Sequence, residues 1–148
     1  MENDSTEEII IKYFTDDIDR TEEFPQGDLI DLRAAEDVEM KAFEYKRIPL
    51  GVAMQLPEGY TGHVYSRSST FENFGIILVN GVGRIDHSYC GNDDQWLYPA
   101  LAFRDTVIHK NDRICQFEIT KKMPKVKFKV VDSLDNDNRG GIGSTGKN

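Results

Sequence analysis

Asn80-Gly81-Val82-Gly83-Arg84-Ile85-Asp86-His87-Ser88-Tyr89-Cys90-Gly91 opens on an Asn-Gly pair, the dipeptide that most readily supplies the positive φ angles of a tight β-hairpin turn. An apolar run at 75–79 precedes it and another at 96–103 follows it, so the stretch reads as strand, turn, strand. The same punctuation recurs outward in both directions. Short runs rich in Ile, Val, Phe and Tyr occupy 9–14, 47–56, 63–66, 106–109, 113–120 and 125–131, broken by Gly, Pro, Asn and Asp. In the last, apolar and basic residues alternate (Val126-Lys127-Phe128-Lys129-Val130), which is the two-residue period of a half-buried strand. Pro57-Glu58-Gly59-Tyr60 reads as a turn between strands. Many short strands at close spacing predict an all-β sandwich or barrel. Helical signal is confined to 68–74, where Ser and Thr can cap one short helix.

With 148 residues, 39% hydrophobic and 30% charged, the chain has material for one domain with a real core. No apolar run approaches the roughly 18–20 residues of a membrane span. The acidic, polar start, residues 1–6, lacks the basic and apolar regions of a signal peptide, so the cytoplasm is the expected compartment. Cys90 and Cys115 make neither a Cys-x-x-Cys pair nor a zinc spacing and are expected to be reduced structural thiols. A net charge of -8 argues against DNA or RNA as a partner, because those ligands demand a broad basic surface. It is compatible with a small phosphorylated ligand wherever a few arginines and a metal ion converge.

Residues 15–26, with Asp16, Asp17, Asp19, Glu22 and Glu23, are expected to be a solvated acidic loop. Residues 135–148 hold no apolar side chain except Ile142 and are expected to form a flexible arm beside a folded domain of residues 1–134. The arm carries Arg139-Gly140-Gly141-Ile142-Gly143-Ser144-Thr145-Gly146-Lys147, the composition of a loop that wraps an anion: glycines bare the backbone N–H groups, hydroxyls donate, and arginine neutralises. Four other segments can carry chemistry. Asp31-Leu32-Arg33-Ala34-Ala35 places a carboxylate beside small residues, as near a metal or in a surface turn. Ser66-Arg67-Ser68-Ser69-Thr70 reads as a phosphate cradle or a helix cap. The opening stretch, with Asp86 and Tyr89 beyond its turn, reads as a slot for a flat base and a sugar or as a plain hairpin. Asn111-Asp112-Arg113-Ile114-Cys115-Gln116 reads as a turn entering a strand, with Arg113 and Gln116 polar among apolar neighbours.

Taken in order, Asp-Leu-Arg-Ala, Arg-Ser-Ser, Gly-x-Ile-Asp-x-x-Tyr-x-Gly, Asp-Arg-Ile-x-Gln and Arg-Gly-Gly-x-Gly-Ser-Thr-Gly occur once each between Asp31 and Gly146. This closely resembles the five-motif pattern of the trimeric dUTPase family. The wording between motifs, such as Pro-Leu-Gly-Val-Ala-Met-Gln-Leu-Pro-Glu-Gly-Tyr at 49–60, is most similar to members from Gram-positive bacteria and their phages. The resemblance implies a jelly-roll β-barrel or sandwich, a homotrimer with shared active sites, and hydrolysis of dUTP to dUMP and pyrophosphate with Mg²⁺. That activity limits uracil in DNA and supplies dUMP for dTMP synthesis. It further implies that Asp86 activates the water that attacks the α-phosphorus, since a carboxylate can accept its proton. Tyr89 is then expected against the deoxyribose, and Asn80 with the backbone at Gly83 and Ile85 on the uracil edge. Arg67, Ser68, Ser69 and Gln116 are expected on the phosphates, Arg139, Ser144 and Thr145 on the γ-phosphate as the arm closes, and Asp31 at the magnesium ion through water.

Departures from the pattern carry expectations of their own. Ile142 stands where the family has a tail aromatic that stacks on uracil, so Trp96, Leu97 or Tyr98 is the expected replacement lid. Arg84 stands where small or apolar residues are common and is expected to be a surface residue of the hairpin. Cys90 takes a position that is often basic, Leu29 replaces a glycine, and Asn111 replaces a turn glycine whose left-handed conformation asparagine can adopt. Two alternatives stand beside the hydrolase. One is a dCTP deaminase of the same fold. The other is a phage regulatory protein that also binds a host repressor, through residues 15–23 or the inserted 92–95.

Overall fold

The computed structural model describes residues 6–143. Eleven strands and one short helix form, and every strand pair is antiparallel. The strands are β1 (Ile10–Tyr13), β2 (Ile30–Arg33), β3 (Val38–Met40), β4 (Tyr45–Pro49), β5 (Val52–Gln55), β6 (Tyr60–Ser66), β7 (Ile76–Leu78), β8 (Gly83–Ile85), β9 (Leu97–Ala102), β10 (Thr106–Ile108) and β11 (Arg113–Lys121). Helix α1 (Thr70–Phe74) sits between β6 and β7. Two sheets carry the core, ordered β2-β11-β6-β8 and β4-β9-β7, and the pairs β1-β5 and β3-β10 complete the jelly roll.

Alternation explains which side chains face inward. Along β9, Tyr98, Ala100 and Ala102 are fully buried while Leu97, Pro99 and Leu101 are only half-buried. On the facing sheet Leu32, Val64 and Phe117 point inward. A bulge between Arg113 and Cys115 lets Ile114 and Cys115 both enter the core and returns Gln116 to the outer face beside Asp31 and Tyr65. Tyr98 ties the two sheets together, its hydroxyl 2.6 Å from Ser66 Oγ, and burial pushes its phenol up to about 12. Removing that hydroxyl strands the Ser66 side chain. Tyr98→Phe is expected to cost about 1–2 kcal/mol, read as a lower midpoint in urea unfolding.

Several expectations from sequence change here. The Asn80–Gly81 turn forms, with Gly81 N–H donating to Leu78 O at 2.9 Å and φ of 74° at Gly81. It is not a hairpin turn, however: β7 pairs with β9 and β8 with β6, so it carries the chain from one sheet to the other. The run 47–56 is two strands, divided at Gly51, where φ is +73° and an added Cβ would lie 2.9 Å from Ile18 Cδ1. Asp31-Leu32-Arg33 lies in strand β2 rather than in a turn. Residues 125–131 form no strand and stay exposed, with Phe128 and Val130 over 90% accessible, because no sheet edge of this chain meets them. The helix covers 70–74 and its N-cap Ser69 makes no side-chain cap bond; Thr70 Oγ1 instead accepts from Arg67 N–H and donates to Ile114 O. Asn111 does adopt the left-handed conformation, φ 79°.

Candidate active site

Two cavities hold the motif residues, and no residue lines both. The first, of about 310 Å³, lies where β8 and β9 come together from the two sheets. Its walls include Asn80, Gly83, Ile85, Asp86, Tyr89 and Leu97. Gly83 lets β8 lie close on β6, since a Cβ there would press on Val64 at 3.2 Å. Asp86 follows β8 directly, and Tyr89 N–H donates to its carbonyl in a tight turn. Tyr89 then reaches over to Gln95, donating its hydroxyl to the backbone carbonyl at 2.8 Å. Burial, and after it the charge of Asp94, holds that phenol above its ordinary range, so it remains a donor. The 92–95 insertion is thereby built into the cavity wall, pinned by Lys12 Nζ on Asn92 O and by Gln95 Oε1 accepting from Gly51 N–H.

The second cavity, of about 550 Å³, is polar and carries Arg67, Ser68, Arg113, Gln116 and Asp31. Asp31 on β2 accepts from Arg67 Nε at 3.1 Å and from an Arg113 terminal nitrogen at 3.3 Å, so one carboxylate spaces two guanidinium groups. Gln116 sits directly opposite Asp31 in the β2–β11 register, and its amide donates to Ser66 O. The wall opposite is the 22–29 segment. The acidic loop leading to it is anchored rather than simply solvated: Ile18 is buried, Asp17 pairs with Lys110 at 3.0 Å, and Asp19 N–H donates to Asn111 Oδ1.

The site residues read from sequence therefore fall into two groups. Asn80, Gly83, Ile85, Asp86, Tyr89 and Leu97 line the first cavity, and Asp31, Arg67, Ser68 and Gln116 the second. Ser69 caps α1 and lines neither. Trp96 and Tyr98 are overturned as lids: both are wholly buried, Trp96 edge-on against Phe117 at 5.2 Å and Tyr98 bonded to Ser66. Alternation on β9 turns them inward and leaves Leu97, between them, facing the cavity. Ile142 is fully exposed, and Arg139 donates only to its neighbour Gly140 O. Ser144 and Thr145 lie outside the described residues. Reasoning from sequence did not assign Arg113, Gln95 or the 22–29 wall to a site. Arg113 stands three residues before Gln116, a spacing that the bulge in β11 brings onto the same cavity.

A base-sized slot with an acid at its mouth, and a separate pocket of paired arginines, define a nucleotide-handling protein. The profile of the dUTPase family matches residues 25–146, and the chain belongs to that family. It is 58% identical over 139 residues to the SPbeta prophage-derived deoxyuridine 5'-triphosphate nucleotidohydrolase of Bacillus subtilis, covering 94% of this chain and 98% of that one. To the deoxyuridine 5'-triphosphate nucleotidohydrolase of Finegoldia magna it is 37% identical over 121 residues, covering 79% and 83%. Among solved structures, the Staphylococcus bacteriophage 80alpha dUTPase with dUpNHpp superposes with a TM-score of 0.74 at 20% identity, covering 96% of this chain and all of that one. The dUTPase of phage phi11 of S. aureus, which coordinates a structural Mg(II) ion, superposes at 0.70 with 18% identity, covering 87% and 99%. These two likenesses concern the fold.

Proposed function

We propose that the chain hydrolyses dUTP to dUMP and pyrophosphate at a site assembled between copies of itself. The observation that carries this is the division into two cavities, each suited to half of the nucleotide. The first offers an apolar floor of Ile85, Leu97 and Pro99 with amide groups around it, suited to a base and sugar. The second offers two arginines, Ser68 and Gln116, suited to a triphosphate. A single copy keeps them apart, so a homotrimer with shared sites is the economical assembly. The exposed 125–131 segment supports it: Val126, Phe128 and Val130 form one apolar face, which a neighbouring copy's sheet could bury. On this reading residues 135–148 are the arm that closes over the assembled site, bringing Arg139, Ser144 and Thr145 to the γ-phosphate.

In the reaction, Asp86 takes a proton from water as its oxygen attacks the α-phosphorus. The Pα–O bond to the β-phosphate breaks, and pyrophosphate leaves. Asn80 and the backbone at Gly83 and Ile85 read the uracil edge. Tyr89, spanning the slot to Gln95, packs on the sugar and leaves no room for a 2′-hydroxyl. Arg67, Ser68 and Gln116 hold the phosphates. Asp31 suits a magnesium ion held through water. Each of its oxygens already accepts one guanidinium N–H and keeps a lone pair, and among the described residues no group of three or more His, Cys, Asp and Glu could cage a metal. Bound with the nucleotide, Mg²⁺ supplies charge neutralisation on the phosphate oxygens. Among the described residues no helix is long and apolar enough to cross a membrane, and cytoplasmic residence is proposed with the substrate.

The test is release of pyrophosphate and ammonia from dUTP, dCTP, dTTP and UTP, each with Mg²⁺ and with EDTA. Magnesium-dependent pyrophosphate from dUTP alone is expected. Ammonia from dCTP would transfer the chain to the deaminase reading, and silence on all four would end both.

A further inference from the structure

The base-side cavity holds a group that the reading above leaves unused. Arg84 is the single cation among its lining residues. It lies on β8 two positions before Asp86, and side chains two apart on an extended backbone emerge on the same side. The outcome is an ion pair, Arg84 Nε to Asp86 Oδ1 at 3.6 Å, with the two side chains 53% and 73% exposed. Asp86 has no other side-chain partner, whereas the carboxylate of the phosphate cavity, Asp31, has two arginines of its own. Across the ladder Arg84 faces His63, whose Nε2 is already engaged with the Thr61 and Thr120 hydroxyls and leaves the guanidinium to Asp86.

An ion pair this exposed contributes little to stability, because water screens it and two long side chains must be ordered to make it. Its consequence is geometric. A carboxylate at the end of a strand, otherwise free to turn about its χ angles, is given a preferred direction at the mouth of the slot. General-base catalysis depends steeply on that direction.

We infer that Arg84 is a positioning residue for Asp86, acting on the hydrolytic step through the carboxylate and not by holding substrate. This rests on the assignment of Asp86 as the base. Arg84 thus belongs to the active site and is not the surface residue expected from sequence.

The experiment compares Arg84→Leu, Arg84→Lys, Asp86→Asn and the Arg84→Leu/Asp86→Asn double variant in steady-state dUTP hydrolysis, with binding of a non-hydrolysable dUTP analogue measured alongside. Arg84→Leu is expected to lower kcat about tenfold with KM and analogue affinity unchanged. Arg84→Lys is expected to restore part of the loss, and the double variant to be no slower than Asp86→Asn alone. Thermal midpoints are expected to match the wild type, which separates positioning from misfolding. A rise in KM with weaker analogue binding would make Arg84 a substrate contact and overturn the inference, as would an unchanged kcat. A further loss in the double variant would show that Arg84 acts independently of Asp86 and overturn it too. Full activity in Asp86→Asn would remove the base itself, and the hydrolytic reading of Asp86 would fall along with the inference.

Discussion

Asp86→Asn is expected to lower kcat for dUTP by roughly 10³-fold while leaving KM within about threefold, the range general-base catalysis typically supplies. The amide has nearly the shape of the carboxylate, and the tight turn that presents it is held by backbone, Tyr89 N–H on the residue 86 carbonyl at 3.0 Å, so the slot should survive. What is lost is the capacity to take a proton from water. Binding of a non-hydrolysable dUTP analogue, followed by calorimetry, should therefore stay close to wild type as turnover collapses. A variant retaining more than a tenth of wild-type kcat would mean that Asp86 orients a water that another group deprotonates.

Arg67→Ala is expected to lower kcat/KM by about 10²-fold, the second largest effect. Arg67 is three-quarters shielded and bonded to Asp31 at 3.1 Å, so it is held in place before any phosphate arrives. Its removal takes a positive charge from the triphosphate cavity and also leaves Asp31 with only Arg113, making the cavity less welcoming to an anion. Arg67→Lys should recover only part of the loss, because an ammonium cannot reproduce the guanidinium fork that serves Asp31 and a phosphate together. Both variants should fold, since the Arg67 backbone N–H is held independently by Thr70 Oγ1 at 2.8 Å. Steady-state kinetics at fixed magnesium, with a thermal melt as control, checks this. A loss below about threefold would leave Arg113 as the phosphate ligand in its place.

The chemistry of the site was largely legible because it rests on residue types that few structures use idly. Asp86, Tyr89, Arg67 and Gln116 stand in short ordered motifs, and each was found lining a cavity. The strand content was legible for the same local reason: β6, β7, β9, β10 and β11 each fall on an apolar run bounded by turn residues. Failures came wherever pairing or facing mattered. Trp96, Leu97 and Tyr98 are three large apolar neighbours indistinguishable by composition. The β9 register alone sends the outer two into the core and Leu97 toward the cavity. Arg113 was missed because its approach to Asp31 depends on a bulge that no local propensity announces.

The sequence by itself determined the β-rich character, the turn at Asn80–Gly81, the short helix, the left-handed Asn111 and the inventory of chemical groups. These are consequences of side-chain shape, φ preference and polarity over a few residues. Only the tertiary structure decided that the Asn80–Gly81 turn crosses between sheets, that the motifs divide between two cavities, that Arg84 turns to Asp86, and that 125–131 finds no strand partner in its own chain. Strand pairing joins segments far apart in sequence. Which edge a strand meets is set by the burial of the whole core and not by the residues at that edge.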